Sequence, residues 1–262
     1  MKTALDKAVN SLDEAVSDIA DGASIAVGGF GLCGVPHRLL ETLSYRGVRD
    51  LHVISNNCGT DGRGLGMLAS AGLIHKMTAS YIGENDELVR QYLSGQLEVE
   101  LVPQGTLAER LRAGGAGIPA FYANAGVGTL VADGGLPLRY LPDGSIAAVA
   151  PPKEVRSFGD RQYTLEPAIT TDFALVHAAR GDRYGNLSYE GSAQNFNPLC
   201  AMAGRITIAE VEKLVEPGVL DPRHIHTPGA FVQRVILIDN YEPIIENATI
   251  RSRSKLAASG GN

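Results

Sequence analysis

Two hydrophobic periods alternate along the chain. Leu5, Val9, Leu12, Val16 and Ile19 fall on one face at helical spacing, with acids between them, and predict a helix over 4–20. "DGAS" breaks that pattern, and the apolar run "SIAVG" reads as a strand. A helix is expected from Pro36 to Arg46, because proline suits a first helical turn and Gly47 can end one. Strands "DLHVISNN" (50–57), "IHKMTASYI" (74–82) and "LEVELV" (97–102) then alternate with helices ending near Gly72, over 84–95 and over 106–117. Four or five β-α units joined by short connections predict an α/β fold with a mostly parallel, doubly wound sheet.

From about 126 to 170 the texture changes. "YLPDGSIAAVA" and "KEVRSFGDRQYTLE", with their Gly and Asp turns, read as an antiparallel hairpin region. "TTDFALVHAA" (170–179), "GRITIAEV" (204–211) and "FVQRVILI" (231–238) return to buried strands, with a helix near 193–203. No repeat or linker interrupts the pattern. The expectation is one domain over 1–247 and a loose C-terminal tail over 248–262.

Composition narrows the class. The 262 residues are 44% hydrophobic and carry a net charge of -6, and phosphate backbones need a clustered basic face, so nucleic acid is not an expected partner. The basic residues from Arg251 to Lys255 read as a solvated terminus. Cys33, Cys58 and Cys200 form no CxxC pair, so neither a metal site nor a disulfide framework is expected. The N-terminus has no apolar signal core, and no run approaches the ~18 apolar residues of a membrane span. A soluble, cytoplasmic protein with no membrane partner is expected.

"VGGFGLCGVP" (27–36) contains G-x-G-x-x-G at Gly29, Gly31 and Gly34, after a strand and before a helix. A dinucleotide site would also place an acid at the end of the next strand, for the ribose hydroxyls. That strand ends in Ser55, Asn56 and Asn57. Gly28, Gly29, Gly31 and Gly34 still allow a ligand to approach main-chain N–H groups, and the helix start favours an anion. The competing reading is a tight strand-to-helix connection and nothing more.

"SNNCG" (55–59), "IGEN" (82–85) and "PQGT" (103–106) follow strand ends, where open parallel sheets place ligands. Asn56, Asn57 and Gln104 offer neutral amide donors suited to a carboxylate or thioester carbonyl. Single amides often only cap turns; three at neighbouring strand ends favour a site. His224 and His226 form H-x-H without a third ligand close in sequence, and Cys33 reads as turn filler rather than an activated thiol.

These stretches together resemble the α subunit of family I CoA-transferases. The resemblance rests on "DGASIAVGGFGLCGVP", "ISNNCG", "SYIGENDELVRQYLSGQLEVELVPQGTLAERLRAGGAGIPAFY", "PPKEVRSF", "GDRYGNLSY", "NFNP" and "PGVLDPRHIHTPGAFVQRV", covering roughly residues 10–238. It implies a three-layer α/β/α fold and ping-pong transfer through a glutamyl-CoA thioester, with CoA as substrate and no cofactor or metal. It implies a β subunit carrying the nucleophilic glutamate in a SENG-type motif, absent from this sequence. The implied substrates are succinyl-CoA and a short 3-oxo acid, acetoacetate favoured and 3-oxoadipate second. The implied substrate-binding residues are Asn56, Asn57, Gln104, Gly28, Gly29, Phe30 and Gly31, with no catalytic residue in this chain. Glu84 in "IGEN" is read as a partner of the helix dipole, not as the nucleophile. Asn124 and Gln194 depart from the family's pattern and bear on acceptor identity. The alternatives are an NAD-binding oxidoreductase domain, a non-catalytic partner chain, and a hydrolase on the same fold.

Overall fold

The computed structural model describes residues 5–239 and 241–245. After α1 (Leu12–Ala15), the chain alternates β1 (Ser24–Val27), α2 (His37–Arg46), β2 (Leu51–Ile54), α3 (Gly66–Ser70), β3 (Ile74–Ala79), α4 (Asp86–Leu93), β4 (Glu98–Leu101) and α5 (Gln104–Gly115). An appended region follows: β5 (Ala120–Ala123), α6 (Leu130–Asp133), β6 (Pro137–Tyr140), β7 (Ile146–Val149), β8 (Val155–Phe158) and β9 (Arg161–Pro167). Its strands pair antiparallel as β5-β9-β8 and β6-β7, as the hairpin pattern predicts. The chain then re-enters the main sheet through β10 (Thr171–Asp182), β11 (Leu187–Ser188), α7 (Asn197–Ala203), β12 (Gly204–Val215) and β13 (Arg234–Leu237).

The main sheet runs β13-β12-β10-β1-β2-β3-β4 with parallel neighbours, and β11 lies antiparallel on β10. The chain winds outward from β1 to β4, then returns to build the other half from β10. That reversal makes the β1/β10 boundary a topological switch point, where the carboxyl ends of the strands open a crevice.

Side chains alternate along each strand and feed two cores. Ile25, Val27, Leu51, Val53 and Met77 pack beneath Leu39, Leu40 and Leu43 of α2, Leu68 of α3 and Leu88 of α4. On the opposite face, Ala26, Ile54, Val176 and Val211 meet Leu107 and Leu111 of α5 and Cys200 and Ala201 of α7. Each fully buried leucine contributes about 2 kcal/mol. Gly47 ends α2 in the left-handed region at φ 67°, where glycine costs least.

The N-terminal pattern does not give the helix expected over 4–20. Among the described residues of that stretch only Leu12–Ala15 is helical. Lys7 and Val9 instead exchange backbone hydrogen bonds with Val235, at 2.9 Å each, extending the sheet beyond β13. Edge pairing that satisfies backbone groups overrides a weak helical preference here. The tail expected over 248–262 lies outside the described residues.

Candidate functional site

The loops following β1, β2, β3 and β4 converge on a cleft of about 290 Å³ lined by Phe30, Gly31, Asn56, Asn57, Ser80, Tyr81, Glu84 and Gln104. Parallel register delivers Asn56 and Asn57 from the end of β2, Ser80 and Tyr81 from β3, and Gln104 as the first residue of α5. Asn56 and Asn57 are buried, whereas Gln104 is exposed at the mouth.

The amides form one hydrogen-bonded cluster. Gln104 Nε2 donates to Asn56 Oδ1 at 2.7 Å. Ser80 Oγ donates to Asn56 O at 2.8 Å and lies 3.0 Å from Oδ1. Asn56 Nδ2 donates to Asn57 Oδ1 at 3.3 Å. A carboxamide nitrogen carries two N–H donors. One on Asn56 and one on Gln104 are spent inside the cluster, which leaves a second on each for a ligand oxygen. The donors themselves are uncharged, so they polarise a carbonyl without protonating it.

Asn57 is used differently. Its Oδ1 accepts the Gly31 N–H at 3.0 Å, and its Nδ2 donates to Gly31 O at 3.4 Å. The carboxamide thus clamps the glycine loop, and the Gly31 N–H is already occupied. Gly31 sits at φ 59° and Gly29 at φ 123°, conformations that favour glycine. Gly28 and Gly29 do not line the cleft. A Cβ at Gly28 would overlap Asn197 Oδ1, and one at Gly29 would overlap Val35. Each of these two positions has a neighbour too close for a side chain.

Behind the loop lies a buried charged cluster that the sequence pattern did not reveal. His177 on β10 places Nδ1 3.0 Å from Glu210 Oε1 and Nε2 3.2 Å from Glu212 Oε1, both glutamates on β12. Burial disfavours the imidazolium, but the hydrogen bonds and charges of the two glutamates outweigh it and hold His177 above the ordinary histidine value. Tyr241 stacks on the ring, with centroids 4.4 Å apart. Glu210 Oε2 also accepts the Leu39 N–H at 2.9 Å, in the first turn of α2. Pro36 supplies no side-chain cap, so a carboxylate from a distant strand holds the helix N-terminus. Asn197 completes the frame: its Oδ1 accepts the His177 N–H and its Nδ2 donates to Gly34 O.

This arrangement bears on the dinucleotide reading. A pyrophosphate would need the α2 N-terminus and free loop N–H groups. Glu210 holds the first, and Asn57 holds the Gly31 N–H.

Five of the seven expected binding residues, Phe30, Gly31, Asn56, Asn57 and Gln104, meet at the cleft. Glu84 does too, where a helix-dipole role was expected. The α4 N-cap is Asn85, whose Oδ1 accepts the Leu88 N–H at 2.9 Å, and the first-turn acids are Asp86 and Glu87. Asn124 follows β5, and Gln194 ends a 3₁₀ turn over Gly191–Gln194; neither lines the cleft. His226 Nδ1 accepts the Tyr189 N–H, so His226 serves local structure. Cys33 Sγ lies 3.4 Å from Ser192 Oγ, and burial pushes the Cys58 and Cys200 thiols up to about 12. Among the described residues no group of three or more His, Cys, Asp or Glu could hold a metal, and no helix is long and apolar enough to cross a membrane.

Known proteins are similar to this chain over most of its length. A Mycobacterium tuberculosis protein, named as one of the subunits of a probable succinyl-CoA:3-ketoacid coenzyme A transferase, is 61% identical, over 94% of this chain and 100% of its own length. The mouse mitochondrial succinyl-CoA:3-ketoacid coenzyme A transferase 2A is 46% identical over 95% of this chain, which spans 48% of that longer protein. An acyl-CoA transferase structure from E. coli O157:H7 superimposes with a TM-score of 0.79 at 24% identity, covering 94% of this chain and 50% of that one. Residues 9–237 match the Coenzyme A transferase family, to which this chain belongs.

Proposed function

We propose that this chain is the α subunit of a CoA-transferase that moves CoA from succinyl-CoA to a 3-oxo acid, with acetoacetate the favoured acceptor and 3-oxoadipate the second. The observation that carries the reading is the cluster of neutral amides in the cleft, which offers donors for an acyl oxygen. The name borne by a relative 61% identical over its whole length supports the substrate assignment. A half-length match to the mouse enzyme supports the need for a second chain.

The nucleophile in this reading is a glutamate of a β subunit, in a SENG-type motif. Its carboxylate attacks the thioester carbonyl and expels CoA thiolate, leaving an acyl-glutamyl anhydride. The thiolate then attacks the glutamyl carbonyl, releasing succinate and leaving a glutamyl-CoA thioester. The acceptor acid repeats the steps in reverse, so kinetics are ping-pong and the thioester energy is kept without ATP or metal. Asn56 and Gln104 of this chain donate to the acyl oxygen as negative charge develops on it. Asn57, through Gly31, holds the loop that walls the cleft. A cytoplasmic location accords with this chemistry.

Co-expression with a β-subunit chain that carries a SENG-type motif tests the proposal. CoA transfer from succinyl-CoA to acetoacetate is expected from the pair and not from this chain alone. Transfer by the isolated chain, or none by the pair, refutes it.

A further inference from the structure

The hydrogen bonds among the cleft amides can run in either of two directions. A carboxamide turned over exchanges donor for acceptor, and a hydroxyl can take either role. Asn56, Gln104 and Ser80 are all groups of this kind. Run one way, their bonds leave free N–H groups for a ligand. Run the other way, they leave amide oxygens, which repel a carbonyl oxygen. Nothing in these three side chains selects a direction.

One member of the cluster cannot be reversed. The Gly31 N–H only donates, and its peptide plane is fixed by a turn in which Phe30 and Cys33 exchange backbone hydrogen bonds at 3.0 Å each. It donates to Asn57 Oδ1 at 3.0 Å, while Asn57 Nδ2 faces Gly31 O at 3.4 Å, so the Asn57 carboxamide has one orientation. Asn57 Oδ1 is then the acceptor that Asn56 Nδ2 meets at 3.3 Å. That bond turns Asn56 Oδ1 towards Gln104, whose Nε2 donates to it at 2.7 Å. Ser80 Oγ, donating to Asn56 O and lying 3.0 Å from Oδ1, follows the same direction.

We infer that Asn57 is a positioning residue for acyl transfer: it passes the polarity of the Gly31 peptide to Asn56 and Gln104, so that the cleft presents donors rather than acceptors. The inference rests on the CoA-transferase reading above and gives Asn57 a role exerted through its neighbours. Without Asn57 the direction is no longer imposed, and the reversed arrangement competes with the productive one.

The test is a double-substitution cycle in the reconstituted α/β complex. Asn57→Ala alone is expected to lower kcat/KM about fivefold, and Gln104→Ala alone about 100-fold. Because Asn57 acts through Gln104 and Asn56, the two together should cost about 150-fold, not the roughly 500-fold of independent sites. A residue that only braced the loop gives the larger figure.

A spectroscopic reading separates polarity from packing. In a complex whose β-subunit glutamate is replaced by glutamine, bound succinyl-CoA persists, and the infrared stretch of its isotope-labelled thioester carbonyl reports the donors. The band should lie at lower frequency with the unaltered chain than with Asn57→Ala. Ser80→Ala, which removes a hydroxyl able to take either role, should keep the lower position. A band that Asn57→Ala leaves in place, or that both substitutions move equally, overturns the inference. If the unaltered complex transfers no CoA, the functional reading falls and this inference with it. Transfer with an additive cycle overturns this inference alone.

Discussion

The two sides of the loop over 28–34 are built from opposite materials. The cleft side presents neutral amides, Asn56, Asn57 and Gln104, with donors left over for a ligand. The buried side packs His177, Glu210 and Glu212 into mutual ion pairs and spends them on the α2 N-terminus and the loop frame. Charge here serves position, and neutral donors serve binding. A buried charge is tolerable only when paired and hydrogen-bonded. A binding surface that must polarise a carbonyl without trading protons does better with amides.

Four substitutions would break or sharpen that contrast. The largest effect is expected for Gly28→Ala, whose Cβ would overlap Asn197 Oδ1 and unseat the frame behind the loop. A loss of about 3 kcal/mol follows from overpacking plus a broken buried hydrogen bond, read as a fall in melting temperature of roughly 10 °C. Gln104→Ala should act on the other side only. Losing one donor aimed at developing charge is expected to lower kcat/KM of the complex by about 100-fold, with the melting temperature within about 2 °C of the parent.

His177→Gln ranks third, at about 2 kcal/mol for the lost charged hydrogen bonds. Its pH dependence has a definite sign. A histidine held above its ordinary value in the folded state stabilises the fold at and below that ordinary value, and the contribution disappears as pH rises through the raised one. Denaturant titrations should therefore show parent and variant furthest apart at about pH 6 and converging towards alkaline pH. A gap that widens with pH would refute the protonated cluster. His52 runs the opposite way: burial lowers it to about 4, so the fold should lose stability as pH falls from about 6.5 towards 4. The smallest effect, about 1 kcal/mol, is expected for Asn57→Ala, which removes the two hydrogen bonds to Gly31. Hydrogen exchange should report it as faster exchange at the Gly31 N–H, and an unchanged rate would show that Asn57 does not clamp the loop.

The β-α alternation, the helix over 37–46 with its Gly47 stop, the antiparallel region and the amide positions were all legible in sequence. Each depends on local spacing: period 3.6 or 2, a left-handed stop, a polar pair just past an apolar run. That rule failed at the N-terminus, where Lys7 and Val9 pair with Val235, more than two hundred residues away. It failed again inside the glycine loop. G-x-G-x-x-G states that close approach is allowed without stating what approaches. For Gly28 the neighbour is Asn197, for Gly29 it is Val35, and for the helix start it is Glu210.

By itself the sequence determined the fold class, the strand ends where a site could form, and the neutral donors that populate it, because these follow from periodicity and residue chemistry. Tertiary structure alone decided which groups remain free. Asn57 and the Gly31 N–H consume one another, Glu210 occupies the helix end, and Asn56 and Gln104 each keep an N–H for a ligand. Hydrogen-bond capacity is finite, and partners far apart in the chain determine where it is spent.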